Sequence, residues 1–211
     1  MKLYLVRHGQ TDYNKARRLQ GILDIPLNDY GRYLAKITKA GYDENNIRFD
    51  VAYSSDLSRA YETADILCDG KLDIIKDTRL REIKFGHFEG FQLDNISIDG
   101  PKDIALYNCI YDCENYIPDD DAESFDELYK RTADFLEMLR STYKNGETIL
   151  AATHGGCLKG FLHNLLGIET KDFWNSHHKN LANVIVSWEN DGPFVVEEIE
   201  KYFFDKDKEF K

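Results

Sequence analysis

The sequence predicts an α/β fold: a three-layer sandwich whose mainly parallel central sheet is flanked by helices, with a short irregular cap insertion. Three observations predict it. Apolar runs of strand length alternate with stretches of helical period along most of the chain. The first run, Leu3-Tyr4-Leu5-Val6, is apolar at every position, as a strand buried in a sheet is. The 211 residues contain no internal repeat, low-complexity segment or linker, so one domain over 1–211 is expected.

The first strand ends on Arg7-His8-Gly9, where the glycine lets the backbone bend and lets a ligand approach its amide. A polar stretch continues to Asn28, and a helix covers 31–40. Val51-Ala52-Tyr53-Ser54 forms the second strand, 57–67 a helix and 72–75 the third strand. The irregular cap occupies 83–122, with glycines at 86, 90 and 100, Pro101, Pro118 and the acidic run Asp119-Asp120-Asp121, read as a solvated turn. Ser124 and Glu127 have the spacing of a capping box. Behind them Phe125, Leu128, Phe135, Leu136, Leu139 and Tyr143 give a long helix its apolar face. A fourth strand spans 148–152 and its helix 157–166. Residues 181–188 and 193–199 pair as a closing hairpin turned at Asn190-Asp191-Gly192, and the charged tail 201–211 is expected to be loose.

Composition narrows the class. With 42% hydrophobic and 31% charged residues the chain reads as globular, and no apolar run approaches the roughly 20 residues that span a bilayer. Met1-Lys2-Leu3-Tyr4 enters the first strand with no basic-then-apolar leader, so a cytoplasmic location is expected. Cys68, Cys109, Cys113 and Cys157 are then reduced thiols. Cys109 and Cys113 can share a helix face, but no second ligand pair stands at zinc spacing, so no metal is expected. A net charge of −11 argues against nucleic acid and anionic membrane as partners. It leaves room for a small phosphate ligand, because a few pocket arginines outweigh surface charge screened beyond about 8–10 Å.

The strand ends carry the chemistry. The first gives Arg7 and His8, the second Ser54-Ser55 with Arg59 near the next helix start. Beyond the third lies Leu80-Arg81-Glu82-Ile83, and the fourth ends in Thr153-His154-Gly155-Gly156. Parallel strands would place all four groups on the edge where open α/β sheets bind ligands. Two arginines, two imidazoles and a carboxylate suit phosphoryl transfer. Arginine forks hold phosphate oxygens, and the exposed amides of Gly9 and Gly155 add to the field. A neutral imidazole can attack phosphorus in line, and a carboxyl group can protonate the leaving oxygen and then activate water. The cations neutralise charge, so neither a metal nor another cofactor is expected, and the chain lacks a Gly-Lys-Ser/Thr phosphate loop.

Leu5-Val6-Arg7-His8-Gly9-Gln10-Thr11, Asn14, Leu19-Gln20-Gly21 and the turn from Asp24-Ile25-Pro26-Leu27 to Gly31 open a series of motifs. Ser54-Ser55-Asp56-Leu57-Ser58-Arg59-Ala60 with Thr63-Ala64, Leu80-Arg81-Glu82 through Phe85-Gly86 to Glu89-Gly90, and Thr153-His154-Gly155-Gly156 complete it. Together they resemble the histidine phosphatase superfamily, which includes the cofactor-dependent phosphoglycerate mutases, over nearly the whole chain. The resemblance implies His8 as the phosphorylated nucleophile, Arg7, Arg59 and His154 as the phosphate pocket, and Glu82 as proton donor. Asn14 and the Gly155 amide are implied as secondary phosphate contacts, with Thr11 and Gln20 weaker. Two departures stand out: His87-Phe88 after Gly86, where many relatives carry an acidic residue and tryptophan, and Ala122 where Gly-Glu-Ser is commoner. Both border the expected substrate entrance, and His87 itself is read as a surface or packing residue.

Outside the motifs, His163, His177 and His178 are read as structural or exposed, and Cys157 as packed under its helix. Trp174 and Trp188 read as core or rim aromatics, and Asn183 as a residue that orders backbone. The leading function is a phosphomonoesterase acting on a small phosphorylated metabolite as monomer or homodimer. A phosphoglycerate mutase is the alternative. It is disfavoured because Asp94, Asp99, Asp103, Asp112 and Glu114 against Lys84 and Lys102 make the cap a poor lid for a multiply anionic sugar acid. An inactive phosphate-binding regulatory module is remote, since nucleophile and acid are both present.

Overall fold

In the computed structural model, which describes residues 1–95, 103–119 and 121–205, the apolar runs become six strands of one sheet. They are β1 (Lys2–Arg7), β2 (Val51–Ser54), β3 (Ile74–Lys76), β4 (Thr148–Thr153), β5 (Asn183–Ser187) and β6 (Val195–Lys201), in the order β3-β2-β4-β1-β5-β6. The first four run parallel, while β5 is antiparallel to β1 and to β6. The expected turn closes the β5–β6 hairpin: the Gly192 amide donates to the Glu189 carbonyl at 2.8 Å.

Alternation along β1 serves both faces of the sheet. Leu3 and Leu5 pack with α5 (Phe125–Thr142) and α6 (Gly155–Leu166), while Tyr4 and Val6 pack with α2 (Asp29–Glu44) and α3 (Ser58–Leu67). That is the three-layer arrangement the sequence predicts. The capping box at Ser124 and Glu127 forms as expected, and Gly167 ends α6 with φ 68°.

The differences have local causes. A short helix α1 (Asp12–Lys15) interrupts the polar stretch, because Thr11 accepts from the Asn14 amide as its N-cap. The cap insertion, irregular elsewhere, contains α4 (Ile104–Tyr111), capped by Asp103. Helix α2 starts at an Asn28 cap and runs past 40 through Gly41, where a Cβ would stand 1.7 Å from the Phe203 carbonyl oxygen. The tail is therefore not loose over 202–205. Phe203 packs on Tyr42 with ring centroids 4.8 Å apart, and Phe204 joins the same cluster. Asp99, Gly100, Pro101, Lys102, Asp120 and the tail beyond 205 lie outside the described residues. No described helix is long and apolar enough to cross a membrane.

Candidate active site

The parallel register decides what meets at the sheet edge. Arg7 of β1 pairs with Thr153 of β4, so His8 and His154 leave the sheet side by side, ring centroids 5.0 Å apart. Both are buried, at 2% and 0% exposure. Their hydrogen bonds assign opposite tautomers. The His8 Nδ1–H donates to the Gly9 carbonyl at 2.6 Å, since a carbonyl only accepts, and Nε2 keeps its lone pair. His154 Nδ1 accepts from Arg59 Nε at 3.2 Å, since a guanidinium only donates, which puts the ring proton on Nε2. That Nε2–H is buried without a partner among the described residues, and so is Arg7 Nε. Burial first, then the Arg59 guanidinium, holds both imidazoles well below the ordinary 6.5. Both rings are therefore neutral at pH 7.

Arg59, fully buried in the first turn of α3, also donates to the carbonyls of Leu23 at 2.6 Å and Gly21 at 2.7 Å. It thus joins the loop after α1 to the second imidazole, and burial lowers it to about 10. Arg7 Nη1 donates to the His178 carbonyl at 2.6 Å, and burial lowers this guanidinium as well.

Glu82 meets the start of α6. Its carboxylate accepts from the amides of Gly156 at 3.1 Å, Cys157 at 3.0 Å and its neighbour Ile83 at 3.0 Å. An anion there complements the helix N-terminus. The pair Gly155-Gly156 permits this approach. A Cβ at 155 would sit 3.4 Å from Arg7 Nε, and one at 156 only 2.6 Å from Glu82 Oε1.

A cavity of about 440 Å³ opens over these groups. Arg7, His8, Asn14, Arg59, Glu82 and Gly155 line it. His154 does not line it; the ring lies wholly buried beside His8. Gln20 lines the cavity and accepts from the Thr11 hydroxyl at 2.9 Å, whereas Thr11 stays off the wall as the α1 cap. Asn14 spends its carbonyl oxygen on the Thr11 amide at 3.1 Å, leaving Nδ2 for an acceptor. From the cap come Phe85, Leu93 and Ile110; Asp94, Asp103, Asp112 and Glu114 are not on the wall. The acid counted in the cap sequence therefore does not face the cavity among the described residues.

Several residues differ from their sequence readings. His177 and His178 both line the cavity, although only structural or exposed roles are expected for them, because the segment after Trp174 folds back over α6. Burial lowers His178 to about 4. Lys159 and Trp174 also line the wall, and Asn180 donates to the His8 carbonyl at 2.8 Å. Other readings hold. His163 stacks on Tyr129 at 3.5 Å and donates to the Ile168 carbonyl, and His87 sits at the surface 3.5 Å from Asp119. Cys157 and Trp188 are buried, and Asn183 bonds Tyr42 and the Leu181 carbonyl.

Comparison with known proteins agrees with this geometry. Residues 3–200 match the model of the histidine phosphatase superfamily (branch 1). The chain is 35% identical over 160 residues to phosphoglycerate mutase-like protein 4 of Arabidopsis thaliana, covering 75% of this chain and 68% of that one. It is 29% identical to phosphoserine phosphatase 1 of Hydrogenobacter thermophilus, covering 90% and 87%. Among solved structures, a phosphoserine phosphatase mutant of Entamoeba histolytica in complex with phosphoserine superposes with a TM-score of 0.81, at 26% identity over 95% and 96% of the chains.

Proposed function

Because the chain belongs to the histidine phosphatase superfamily, we propose that it is a phosphomonoesterase that cleaves a small phosphorylated metabolite through a phosphohistidine on His8. The observation that carries this reading is the pair of opposed imidazole tautomers: a bare Nε2 on His8 and an unpartnered Nε2–H on His154, flanked by two guanidiniums. Attack on phosphorus needs the first, and a developing phosphoryl charge needs the second.

The His8 Nε2 lone pair forms the P–N bond while Arg7, Arg59, Asn14 and the Gly155 amide, all on the cavity wall, hold the equatorial oxygens, and the His154 Nε2–H, buried beside His8, adds its positive end to the field. The P–O ester bond breaks, its electron pair passes to the leaving oxygen, and protonated Glu82 supplies the proton. Glu82 then takes a proton from water, whose oxygen attacks phosphorus. The P–N bond breaks, its electrons return to Nε2, and inorganic phosphate leaves. The guanidiniums and the imidazole N–H balance the charge in both halves, so no step calls on a metal. Relatives named as phosphoserine phosphatases support hydrolysis over transfer to a second substrate oxygen.

The test is phosphate release from a panel of phosphometabolites and an aryl phosphate, with wild type and His8→Ala. Release that disappears in the variant is expected. Release that survives His8→Ala would reject the mechanism.

A further inference from the structure

The proton donor stands on a stretch without regular structure. Glu82, Ile83 and Lys84 belong to no helix or strand, so no ladder fixes their peptide planes. The start of α6 holds the Glu82 carboxylate, yet the backbone that carries it is held from elsewhere. The Arg131 guanidinium, on α5, donates through Nη1 to the carbonyls of Arg79 at 2.7 Å and Arg81 at 2.8 Å. The second of these belongs to the peptide unit that enters Glu82. Through Nε and Nη2 the same guanidinium grips the Glu123 carboxylate bidentately, at 2.5 and 2.9 Å. Glu123 accepts from the Lys84 amide at 3.2 Å, and its own amide donates to the Lys84 carbonyl at 2.8 Å. One ion pair thus fixes the chain immediately before Glu82 and two residues after it. Arg131 Nη1 also reaches Sγ of Cys157 at 3.6 Å, and the Cys157 amide is a partner of the Glu82 carboxylate.

Arg131 and Glu123 are not on the wall of the substrate cavity. They line a second cavity of about 330 Å³, and Glu82 is the one described residue that the two cavities share. The paired side chains are only 17% and 15% exposed. Burying an ion pair costs desolvation that the mutual attraction barely offsets, so net stability does not account for such a pair. Orientation does. We propose that Arg131 and Glu123 form a positioning clamp, which sets the peptide planes on both sides of Glu82 and so aims its carboxyl group at the leaving oxygen. This inference rests on the phosphatase reading with Glu82 as the acid. The carboxyl group must come within hydrogen-bond reach of that oxygen, and a displacement of about 1 Å in such geometry costs up to about 10²-fold. Because the clamp joins 84 to 123, near the two ends of the cap insertion, it sets the acid from the neck of the cap and from α5.

The experiment follows kcat/KM on an alkyl phosphate and on 4-nitrophenyl phosphate for wild type, Arg131→Met, Arg131→Lys and Glu123→Gln, with each substitution also placed on Glu82→Gln. In Arg131→Met the alkyl ester should lose about tenfold more than the aryl ester, mainly in kcat, because only the alkoxide needs the proton. Arg131→Lys keeps the charge and should recover part of that loss, and Glu123→Gln should show a smaller loss of the same kind. On Glu82→Gln the same substitutions should leave the alkyl-to-aryl ratio unchanged, since the clamp then has no acid to aim. Equal losses on both esters would overturn the inference, because that pattern marks a pair that only holds the fold together. An alkyl-specific loss that persists on Glu82→Gln would overturn it too. If Arg131→Met does not fold, Arg131→Lys and Glu123→Gln decide by the same two criteria. Failure of the underlying reading looks different: wild type releases phosphate from neither ester, or Glu82→Gln alone shows no alkyl-specific deficit.

Discussion

Glu82→Gln separates the two tasks assigned to one carboxylate. Glu82 Oε1 accepts from Ile83 and Cys157, both at 3.0 Å, and Oε2 accepts from Gly156 at 3.1 Å. Glutamine keeps one acceptor oxygen and sets an NH2 donor where the other stood, facing an N–H. At least one amide loses a charged acceptor, at a cost of about 1.5–3 kcal/mol. In a chain of this size that lowers Tm by roughly 3–12 °C. The loss of the proton donor is a separate effect, worth about 10²–10⁴-fold where the leaving oxygen must be protonated. An alkyl ester needs that proton, whereas 4-nitrophenolate departs as a stable anion. The assay is kcat/KM, which reports the steps through departure of the leaving group, on an alkyl phosphate and on 4-nitrophenyl phosphate, beside a thermal melt. The deficit for the alkyl ester should exceed that for the aryl ester by about 100-fold. Equal deficits accompanied by a lower Tm would refute the acid role and reduce Glu82 to a cap on α6.

Further predictions concern pH, the arginine and the tail. His8 and His154 are held below their unfolded value near 6.5. Below about pH 6.5 the unfolded chain gains protons that the folded one refuses. Their contribution to stability is thus complete above that pH and is lost as pH falls toward the folded values. Melts from pH 7.5 to 5 should show falling Tm, with a shallower slope in His154→Gln; an unchanged slope would contradict the burial of a neutral ring. Arg59→Lys keeps the charge but cannot reach His154 Nδ1, Leu23 and Gly21 with one ammonium, so kcat/KM should fall about 100-fold. Near-normal turnover would show that charge alone suffices. Gly41→Ala should destabilise by about 1–3 kcal/mol, because the new Cβ collides with the Phe203 backbone. Helix propensity alone would stabilise by about 0.8–1 kcal/mol, so a raised Tm would mean that the tail does not pack on α2.

The sheet and the phosphate-facing groups were legible because their signals are local. An apolar run that stops on Arg7-His8-Gly9 marks a buried strand and its ligand-binding end within the seven residues from Leu3 to Gly9, and Thr148 to Gly155 repeats the pattern. Pairing the two depended only on the parallel rule, and the register between Arg7 and Thr153 bears it out. Helix α1 escaped notice because four residues show no period. Helix α4 escaped because Ile104–Tyr111 is apolar around most of its circumference and stands among breakers. Lys159 and His178 were missed for another reason. Their position on the wall depends on the segment after Trp174 crossing α6, a long-range contact without a periodic trace. The acid-rich cap misled in the same way, since composition counts charges and does not say which face they occupy.

Trapping the covalent intermediate tests the phosphohistidine mechanism most directly. The enzyme is mixed with a phosphate-labelled ester, quenched in alkali within a turnover, digested and mapped. The expected result is one acid-labile, alkali-stable phosphoryl group on the peptide that carries His8, absent in His8→Ala. Label on another residue, or steady turnover with no phosphoenzyme at any quench time, would contradict it.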